Sequence, residues 1–247
     1  MSVNEPTIRE LVGKIGNLQA DVTTLEIDAK SAILIINGNG GHYNLPTNIV
    51  NLKTGRLDYD QSEESFNVQG SGGAGGLIQG IPVYCGGYNH GYLDSCYKMG
   101  DTQPFYRMSS ARRDPAYVVV NDYLWILGGY DGSSDFSTSE FVSIDDGSSH
   151  NGPNLPVSLT ESCATVLQNG SVIIVGGYQN HAIADETFIY SFESATWTKG
   201  PKMNTKRRYH SCASLYDIVI STGGYDLAST EILLPTASNW ISGMKLN

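Results

Sequence analysis

The sequence has few cysteines, few prolines and little charge, and each shortage excludes a class of protein. Four cysteines among 247 residues are too few for a disulfide-stapled mini-domain, and none stands in the C-x-x-C spacing of zinc or redox sites. Nine prolines and 40% apolar residues are not the composition of a disordered chain. We therefore expect an ordered globular protein.

Basic residues and long apolar runs are also scarce. The 15 basic residues are outnumbered by 25 acidic ones, so the net charge is -10. This charge opposes the phosphate neutralisation that nucleic-acid binding needs, and we expect no nucleic-acid partner. The longest apolar run, residues 32–36, is far shorter than the ~20 residues that span a bilayer, so we expect no membrane span.

The sequence offers no motif for catalysis, metal binding or cofactor binding. The histidines His42, His90 and His181 follow glycine pairs at different offsets, so they do not recur as one position. A metal site needs three or four converging ligands. Neither a nucleophile elbow nor a P-loop is present. We predict no catalytic residues, no metal and no cofactor.

Glycine, in contrast, is abundant and periodic. Many of the 28 glycines form pairs that end mostly apolar runs, with the second glycine at Gly41, Gly87, Gly129, Gly177 and Gly224. These positions are 46, 42, 48 and 47 residues apart. A regular period of this length predicts five repeated structural units.

Each unit contains the signals of four antiparallel strands. Two β-rich runs flank a turn, as in 164–167 and 172–175 around Asn169-Gly170, which is a hairpin signal. A third strand candidate follows the glycine pair, and a weaker fourth lies near Trp197 or Trp240. Units of this kind arranged around an axis form a β-propeller. We predict an all-β fold, a propeller of about five four-stranded blades over residues 31–247.

Three further features carry a resemblance to a known family. The apolar run ends in a glycine pair, a tyrosine precedes a tryptophan that is followed by Gly-Pro, and an arginine precedes the next innermost strand (Tyr190, Trp197, Gly200, Pro201, Arg112 and Arg207). This pattern resembles kelch repeats, most closely in the fourth and fifth units. The resemblance implies a kelch-type β-propeller that acts as a non-catalytic protein-interaction module.

Residues 1–30 form a separate N-terminal segment. Apolar residues within 8–25 repeat with spacings of 3, 4, 3, 4 and 3, which is a heptad seam (Ile8, Leu11, Ile15, Leu18, Val22 and Leu25). One interpretation is a short helix that joins copies into a homo-oligomer. The other is a frayed helix or an extended segment packed against the first blade, since Gly13 and Gly16 each weaken a helix by ~1 kcal/mol.

The four cysteines stand where they can pair. Cys85 and Cys96 lie on consecutive strand candidates, and antiparallel pairing sets them opposite each other. Cys163 and Cys212 begin the innermost strands of units four and five, which are neighbours in a propeller. We predict two disulfides, Cys85–Cys96 and Cys163–Cys212. The alternative is that the cysteines are small buried residues with free thiols.

Disulfides would place the protein in an oxidising compartment. The glycosylation sequon Asn169-Gly170-Ser171 agrees with that placement, and the whole pattern is similar to secreted kelch-type proteins of invertebrates. We favour an extracellular location, with a cytoplasmic one as the alternative. Met1 to Arg9 carry charge where a signal peptide is apolar, so either a leader has been removed, the sequence is a fragment, or the protein is cytosolic.

The predicted binding site is one rim of the propeller, where the loops after the glycine pairs meet the loops that lead into the inner strands. Tyrosine and arginine dominate this rim, and both residue types are common at interface hot spots. The predicted rim residues are Arg112, Arg113, Arg207, Arg208, Tyr209, His210, Tyr88, Tyr130, Tyr178 and Tyr225.

The resemblance implies that a protein or peptide partner, such as an acidic segment, binds at this rim. A structural role is the alternative, in which the tyrosines pack against adjacent blades and the arginines pair with acidic neighbours such as Asp114. Two other functions stay open. The chain could be the substrate-recognition propeller of an intracellular ubiquitin-ligase adaptor, or a kelch-like propeller enzyme.

Overall fold

The computed structural model describes strands at residues 32–35, 48–51 and 57–58, and then residues 70–145 and 149–245. All of the regular secondary structure in these ranges is β. The predicted N-terminal segment, 1–30, with its heptad seam and its role in oligomerisation, lies outside the described residues.

The first repeat unit contributes a three-stranded sheet. Its strands are β1 (Ala32–Ile35), β2 (Asn48–Asn51) and β3 (Leu57–Asp58), in the order β1-β2-β3. The pairing between β2 and β3 is antiparallel.

Units two to five each form a four-stranded antiparallel sheet, here called blades two to five. Blade two comprises β4 (Ala74–Ile78), β5 (Ile81–Cys85), β6 (Ser95–Lys98) and β7 (Tyr106–Arg107). Blade three comprises β8 (Ala116–Val120), β9 (Tyr123–Leu127), β10 (Ser139–Ser143) and β11 (Ser149–Asn151). In both blades the strands pair in chain order.

Blade four begins with β12 (Cys163–Val166) and β13 (Val172–Val175). A two-stranded hairpin of β14 (Tyr178–Gln179) and β15 (Ala182–Ile183) follows, and β16 (Thr187–Ser191) and β17 (Thr196–Lys199) complete the blade. Blade five comprises β18 (Ser211–Leu215), β19 (Ile218–Thr222), β20 (Thr230–Leu233) and β21 (Ile241–Ser242).

The blades are arranged as in a β-propeller. The first strand of each blade lies innermost, and these strands contact one another in sequence: β4 with β8, β8 with β12, and β12 with β18. The prediction of an all-β propeller with four strands in each blade is confirmed. The predicted number of about five four-stranded blades was one too high, because the first unit contributes three strands to the described structure rather than a four-stranded blade.

The core lies between neighbouring blades, and strand periodicity places it there. Successive side chains of a strand point to opposite faces. In β9, Leu124 and Ile126 pack toward blade two, whereas Trp125 and Leu127 pack toward Val172 and Ile174 of blade four. In β13 the alternate pair, Ile173 and Val175, packs toward blade five. Strands that are buried on both faces therefore read as continuous apolar runs.

Two kinds of turn connect the first two strands of a blade. In blade three, Asn121 and Asp122 both have left-handed backbone angles, with φ of 48° and 62°, as a tight hairpin between twisted strands requires. In blade four only Gly170 is left-handed, with φ of 83°, and the loop spans five residues between Val166 and Val172. The predicted hairpin at Asn169-Gly170 is present, but its turn is wider than a two-residue turn.

Both cysteine pairs are bonded as the sequence predicted, and the structure contains no free cysteine in its described part. Cys85–Cys96 joins directly opposite residues of β5 and β6 within blade two. Cys163–Cys212 joins the inner strands of blades four and five. One disulfide therefore ties a blade internally, and the other ties two blades together.

Among the described residues, no helix has the length and apolar character needed to cross a membrane.

Candidate functional site

The lead-in loops of the inner strands are connected by backbone hydrogen bonds from blade to blade. The residue at one equivalent position in each loop is left-handed: Gly72, Asp114, Glu161 and Tyr209, with φ of 70°, 52°, 58° and 51°. The amide of each of the last three donates to the carbonyl of the one before it, at 2.6, 2.8 and 3.0 Å. This chain of bonds fixes the spacing of the loops that carry the predicted arginines.

The glycine pairs hold these loops from the other side. The amides of Gly87, Gly129 and Gly177 donate to carbonyls in the following lead-in loop at 2.7–2.9 Å. At Gly129 the backbone is left-handed, with φ of 104°, and a Cβ would lie 3.0 Å from the carbonyl oxygen of Arg113. A side chain there would press against the backbone of the loop that leads into the same blade, which explains why the position requires glycine.

Two of the predicted rim arginines are buried rather than accessible. Arg112 is 1% exposed and Arg207 is 0% exposed. The Arg112 guanidinium donates to the carbonyl of Gly128 at 2.8 Å, and that of Arg207 donates to the carbonyl of Gly223 at 2.7 Å. Expecting these two side chains at the binding surface was wrong, because each is used to bind the glycine-pair backbone of its own blade.

Buried glutamates complete this arrangement in the same two blades. Glu140 accepts hydrogen bonds from the amide and hydroxyl of Ser109 at 3.1 and 2.9 Å. Glu231 accepts from the amides of Asn204 and Thr205 at 2.7 and 2.9 Å, and it also pairs with Arg207 at 3.1 Å. The buried glutamates thus fix the lead-in loops through hydrogen bonds on the interior side of the rim.

These glutamates were not predicted from the sequence, although a signal for them exists. Each follows two hydroxyl residues, as Thr138-Ser139-Glu140 and Ser229-Thr230-Glu231, and it does so only in the units that carry a double arginine.

Arg113 lies at the accessible surface of the rim, with 37% of its side chain exposed. Its guanidinium carbon lies 5.7, 5.7 and 5.5 Å from the ring centres of Tyr88, Tyr92 and Tyr130. Arginine within about 6 Å of an aromatic ring gains a cation–π attraction. Three tyrosines from two blades therefore hold this cation in place, and Tyr92 is a rim residue that was not predicted from the sequence.

Arg208 repeats the arrangement two blades further on, with 25% of its side chain exposed. Its guanidinium carbon lies 5.6, 5.6 and 4.7 Å from the ring centres of Tyr178, Tyr209 and Tyr225. Tyr225 also donates its amide to the carbonyl of Arg208 at 2.9 Å. The rim thus carries two tyrosine-held arginines, and we call these two groups the Arg113 cluster and the Arg208 cluster.

Two carboxylates stand beside the clusters. Asp114 lies 3.4 Å from Arg113, and Glu161 lies 3.2 Å from Arg208. Burial raises the pKa of Asp114 to about 6, with the charge of Arg113 acting against that rise and the charge of Glu161 adding to it. Burial and the charge of Asp114 also raise the pKa of Tyr209. The rim combines two cations with one carboxylate that titrates near pH 6.

The remaining predicted rim residue, His210, is buried beneath the surface. Its ring lies against Gly176, and its pKa is lowered to about 4, mainly by burial and then by the charge of Arg207. It is therefore neutral at pH 7 and is part of the packing rather than of the binding surface.

We expect His210 to make the protein less stable in acid. Between pH 6.5 and 4 the His210 side chain binds a proton in the unfolded chain but not in the folded chain, so the free energy of unfolding falls as the pH falls. The loss attributable to His210 at pH 5 relative to pH 7 is about 2 kcal/mol. Urea unfolding of His210→Asn at both pH values measures it, and the variant is expected to lose less stability than the wild type.

The wild-type loss on its own is smaller, since Asp114 acts in the opposite direction. Because the pKa of Asp114 is raised to about 6, the folded carboxyl binds a proton at a higher pH than the unfolded carboxyl does. Its effect on the free energy of unfolding therefore rises as the pH falls. Asp114 is present in both proteins, so its effect cancels in the comparison. The exposed histidine His181 gives the control, as His181→Asn. Equal pH dependence of the free energy of unfolding in the wild type and in His210→Asn would contradict the role given to His210.

No cluster of metal-ligating side chains occurs among the residues that the structure describes. The described rim offers guanidinium donors, tyrosine rings and two carboxylates, a set of groups that can hold an anionic ligand.

Comparison with known proteins supports the fold. Residues 161–204, which contain blade four and the first residues after it, match the family model of the Kelch motif. No curated protein matches the chain. Kelch propellers are typically non-enzymatic interaction scaffolds. The matched motif and the four-stranded blades together support a kelch-repeat β-propeller.

Proposed function

We propose that the protein is a non-catalytic interaction module outside the cell, and that its rim binds a short acidic segment of a protein partner. The observation that carries this proposal is the pair of tyrosine-held arginines, Arg113 and Arg208, both partly open to solvent.

The chemistry of the two clusters supports a carboxylate-bearing ligand. A guanidinium has five N–H donors in a planar fork that matches a carboxylate. The contacts of Arg113 with Asp114 and of Arg208 with Glu161 are single contacts of 3.4 and 3.2 Å, so donors remain for a ligand. The surrounding tyrosine rings restrict each arginine before binding, which lowers the entropy lost on binding.

The net charge of the chain supports a short segment rather than a long acidic tract. At -10 the protein repels an extended polyanion, and this repulsion is screened beyond about 10 Å at 0.1 M salt. A segment with one or two carboxylates gains the local contacts with the arginines and suffers little of the long-range repulsion.

The cysteines support an extracellular location. Two disulfides join all four cysteines, and such bonds persist in oxidising compartments but are rare in the cytosol.

We expect charge reversal at the rim to weaken binding of acidic peptides. Arg113→Glu and Arg208→Glu should each weaken binding about tenfold or more, since each removes a charge-assisted contact worth ~1.5–3 kcal/mol and adds repulsion. Arg107→Glu is the matched control, because Arg107 lies on the outermost strand β7 and pairs with Asp94. Fluorescence anisotropy with peptides selected from a displayed random library measures the affinities.

The selection itself tests the ligand class. Enrichment of acidic peptides by the wild type, lost in the Arg113→Glu and Arg208→Glu variants and kept in Arg107→Glu, supports the proposal. Enrichment that survives both rim changes would place the binding surface elsewhere. Rim variants must retain wild-type thermal unfolding for either result to count.

A further inference from the structure

The chain contains a single N-x-Ser/Thr sequon, Asn169-Gly170-Ser171, and the rim leaves its role unexplained. The structure places it in the loop between β12 and β13. This loop lies at the end of blade four opposite to the glycine pair, and therefore on the face away from the rim.

The backbone of this loop does not force asparagine at position 169. Asn-Gly is favoured in tight hairpins because both residues adopt left-handed angles there. Here only Gly170 is left-handed, and Asn169 is not. Asn169 accepts a hydrogen bond from the Ser171 amide through its Oδ1 at 2.9 Å, and aspartate or serine serves this purpose equally well.

The side chain of Asn169 is accessible for modification. The residue is exposed, and nothing lies within 4 Å of a Cβ built on Gly170. Because its Oδ1 faces the Ser171 amide, its Nδ2 is the free end of the side chain among the described residues. Nδ2 is the atom that N-glycosylation modifies.

The neighbouring turn of blade five presents an unusual surface beside this asparagine. The amide of Gln168 donates to Asp217 Oδ1 at 2.6 Å, which fixes the two turns side by side. Directly before Asp217, Leu215 and Tyr216 are 57% and 58% exposed. Two large side chains open to water next to a sequon form a surface on which sugar rings can pack, since a sugar ring has apolar C–H faces.

We propose that Asn169 carries an N-linked glycan whose first sugars cover Leu215 and Tyr216. This inference rests on the extracellular location in the proposed function. In the transfer, a bond forms between Asn169 Nδ2 and the anomeric carbon of an oligosaccharide carried on a lipid pyrophosphate. The anomeric carbon–oxygen bond to the pyrophosphate breaks, the amide loses one proton, and the lipid pyrophosphate leaves.

The glycan gives the two faces of the propeller different roles. It blocks protein contacts on the face of the β12–β13 turn and leaves the rim open.

Peptide mapping of the full chain from its native source tests the site. We expect peptide N-glycosidase in oxygen-18 water to convert Asn169 to labelled aspartate, and the glycopeptide to stay intact in the same water without the enzyme. In secreted recombinant protein, Asn169→Asp and Ser171→Ala should lose the mass of the glycan, and Ser171→Thr should keep it. Asn169→Asp retains the Oδ1 acceptor, so the loop keeps its turn. An unmodified Asn169 in natively secreted protein would overturn the proposal.

Oxidative footprinting tests where the sugars lie. Removing the glycan should increase labelling of Leu215 and Tyr216 and leave the rim residue Tyr225 unchanged. Equal labelling before and after removal would overturn the packing of the glycan on these residues. The outcome is separable from peptide binding. A glycosylated protein that binds no acidic peptide refutes only the rim ligand. An unglycosylated secreted protein that binds an acidic peptide at Arg113 and Arg208 refutes only the glycan.

Discussion

Replacing Arg207 with alanine is expected to lower the free energy of unfolding by about 3–5 kcal/mol. The side chain is fully buried and donates to the carbonyls of Gly223 and Ser229, both at 2.7 Å. Its loss removes a donor from both carbonyls, although that of Ser229 keeps the Gly223 amide at 3.1 Å, and it leaves Glu231 without its cation. Urea denaturation followed by circular dichroism measures the change.

The adjacent arginine gives a matched control. Arg208 is partly exposed, and its ion pair with Glu161 is less buried than the pair of Arg207 with Glu231, so its removal is expected to cost less stability. Arg208→Ala should therefore retain most of the stability and lose peptide binding. Equal losses of stability in Arg207→Ala and Arg208→Ala would contradict the division of the two arginines into a buried structural residue and an accessible one.

A double variant separates lost charge pairing from lost packing. In Arg207→Met combined with Glu231→Met, no uncompensated charge is left in the interior. We expect this protein to recover part of the stability that Arg207→Ala loses. No recovery would mean that the backbone contacts of Arg207 and Glu231, rather than their pairing with each other, dominate the effect.

The blade architecture could be predicted from the sequence because its causes are local. In the blades that the structure describes, the second glycine of each pair has a left-handed backbone and lies against the loop that leads into its own blade, so the pairs recur once in each unit. The apolar runs that precede them become strands buried on both faces, as Leu124 to Leu127 are. Cysteine pairing was predictable for the same reason, since strand register sets Cys85 opposite Cys96.

The different roles of the two arginines in each adjacent pair could not be predicted in this way. Arg112 and Arg113 are neighbours in sequence, yet one is buried and the other is open to solvent. The direction of each side chain depends on the left-handed turn at Asp114 and on the acceptors of the glycine-pair backbone. These contacts join residues that are distant in sequence, and a motif of adjacent letters does not contain them.

The two layers of the rim have a common consequence for binding. The lower layer consists of the buried side chains that fix the lead-in loops: Arg112, Arg207, Glu140 and Glu231. The upper layer consists of Arg113 and Arg208, which the tyrosine rings restrict. A surface that is rigid before a partner arrives loses less entropy on binding. The stability of the lower layer and the affinity of the upper layer are therefore linked, although different residues carry them.

Removing the disulfide Cys163–Cys212 is expected to cost roughly 4 kcal/mol, and removing Cys85–Cys96 roughly 3 kcal/mol. A disulfide restricts the unfolded chain more when it closes a longer loop, and the sequence separations are 49 and 11 residues. The comparison uses two double variants, Cys163→Ser with Cys212→Ser and Cys85→Ser with Cys96→Ser. Denaturant unfolding of each against the oxidised wild type gives the two costs.

The two losses should also differ in where they act, because one bond joins two blades and the other lies inside a blade. Without Cys163–Cys212, blade five is held to blade four by the Ile173 and Val175 packing, by the bond between Thr165 and Ser214, and by loop contacts. Hydrogen exchange should therefore rise in β18 to β21 and stay unchanged in blade three. In the variant without Cys85–Cys96 it should rise in β5 and β6 alone. Uniform faster exchange in both variants would show that the propeller unfolds as one unit and that the bond between blades has no separate role.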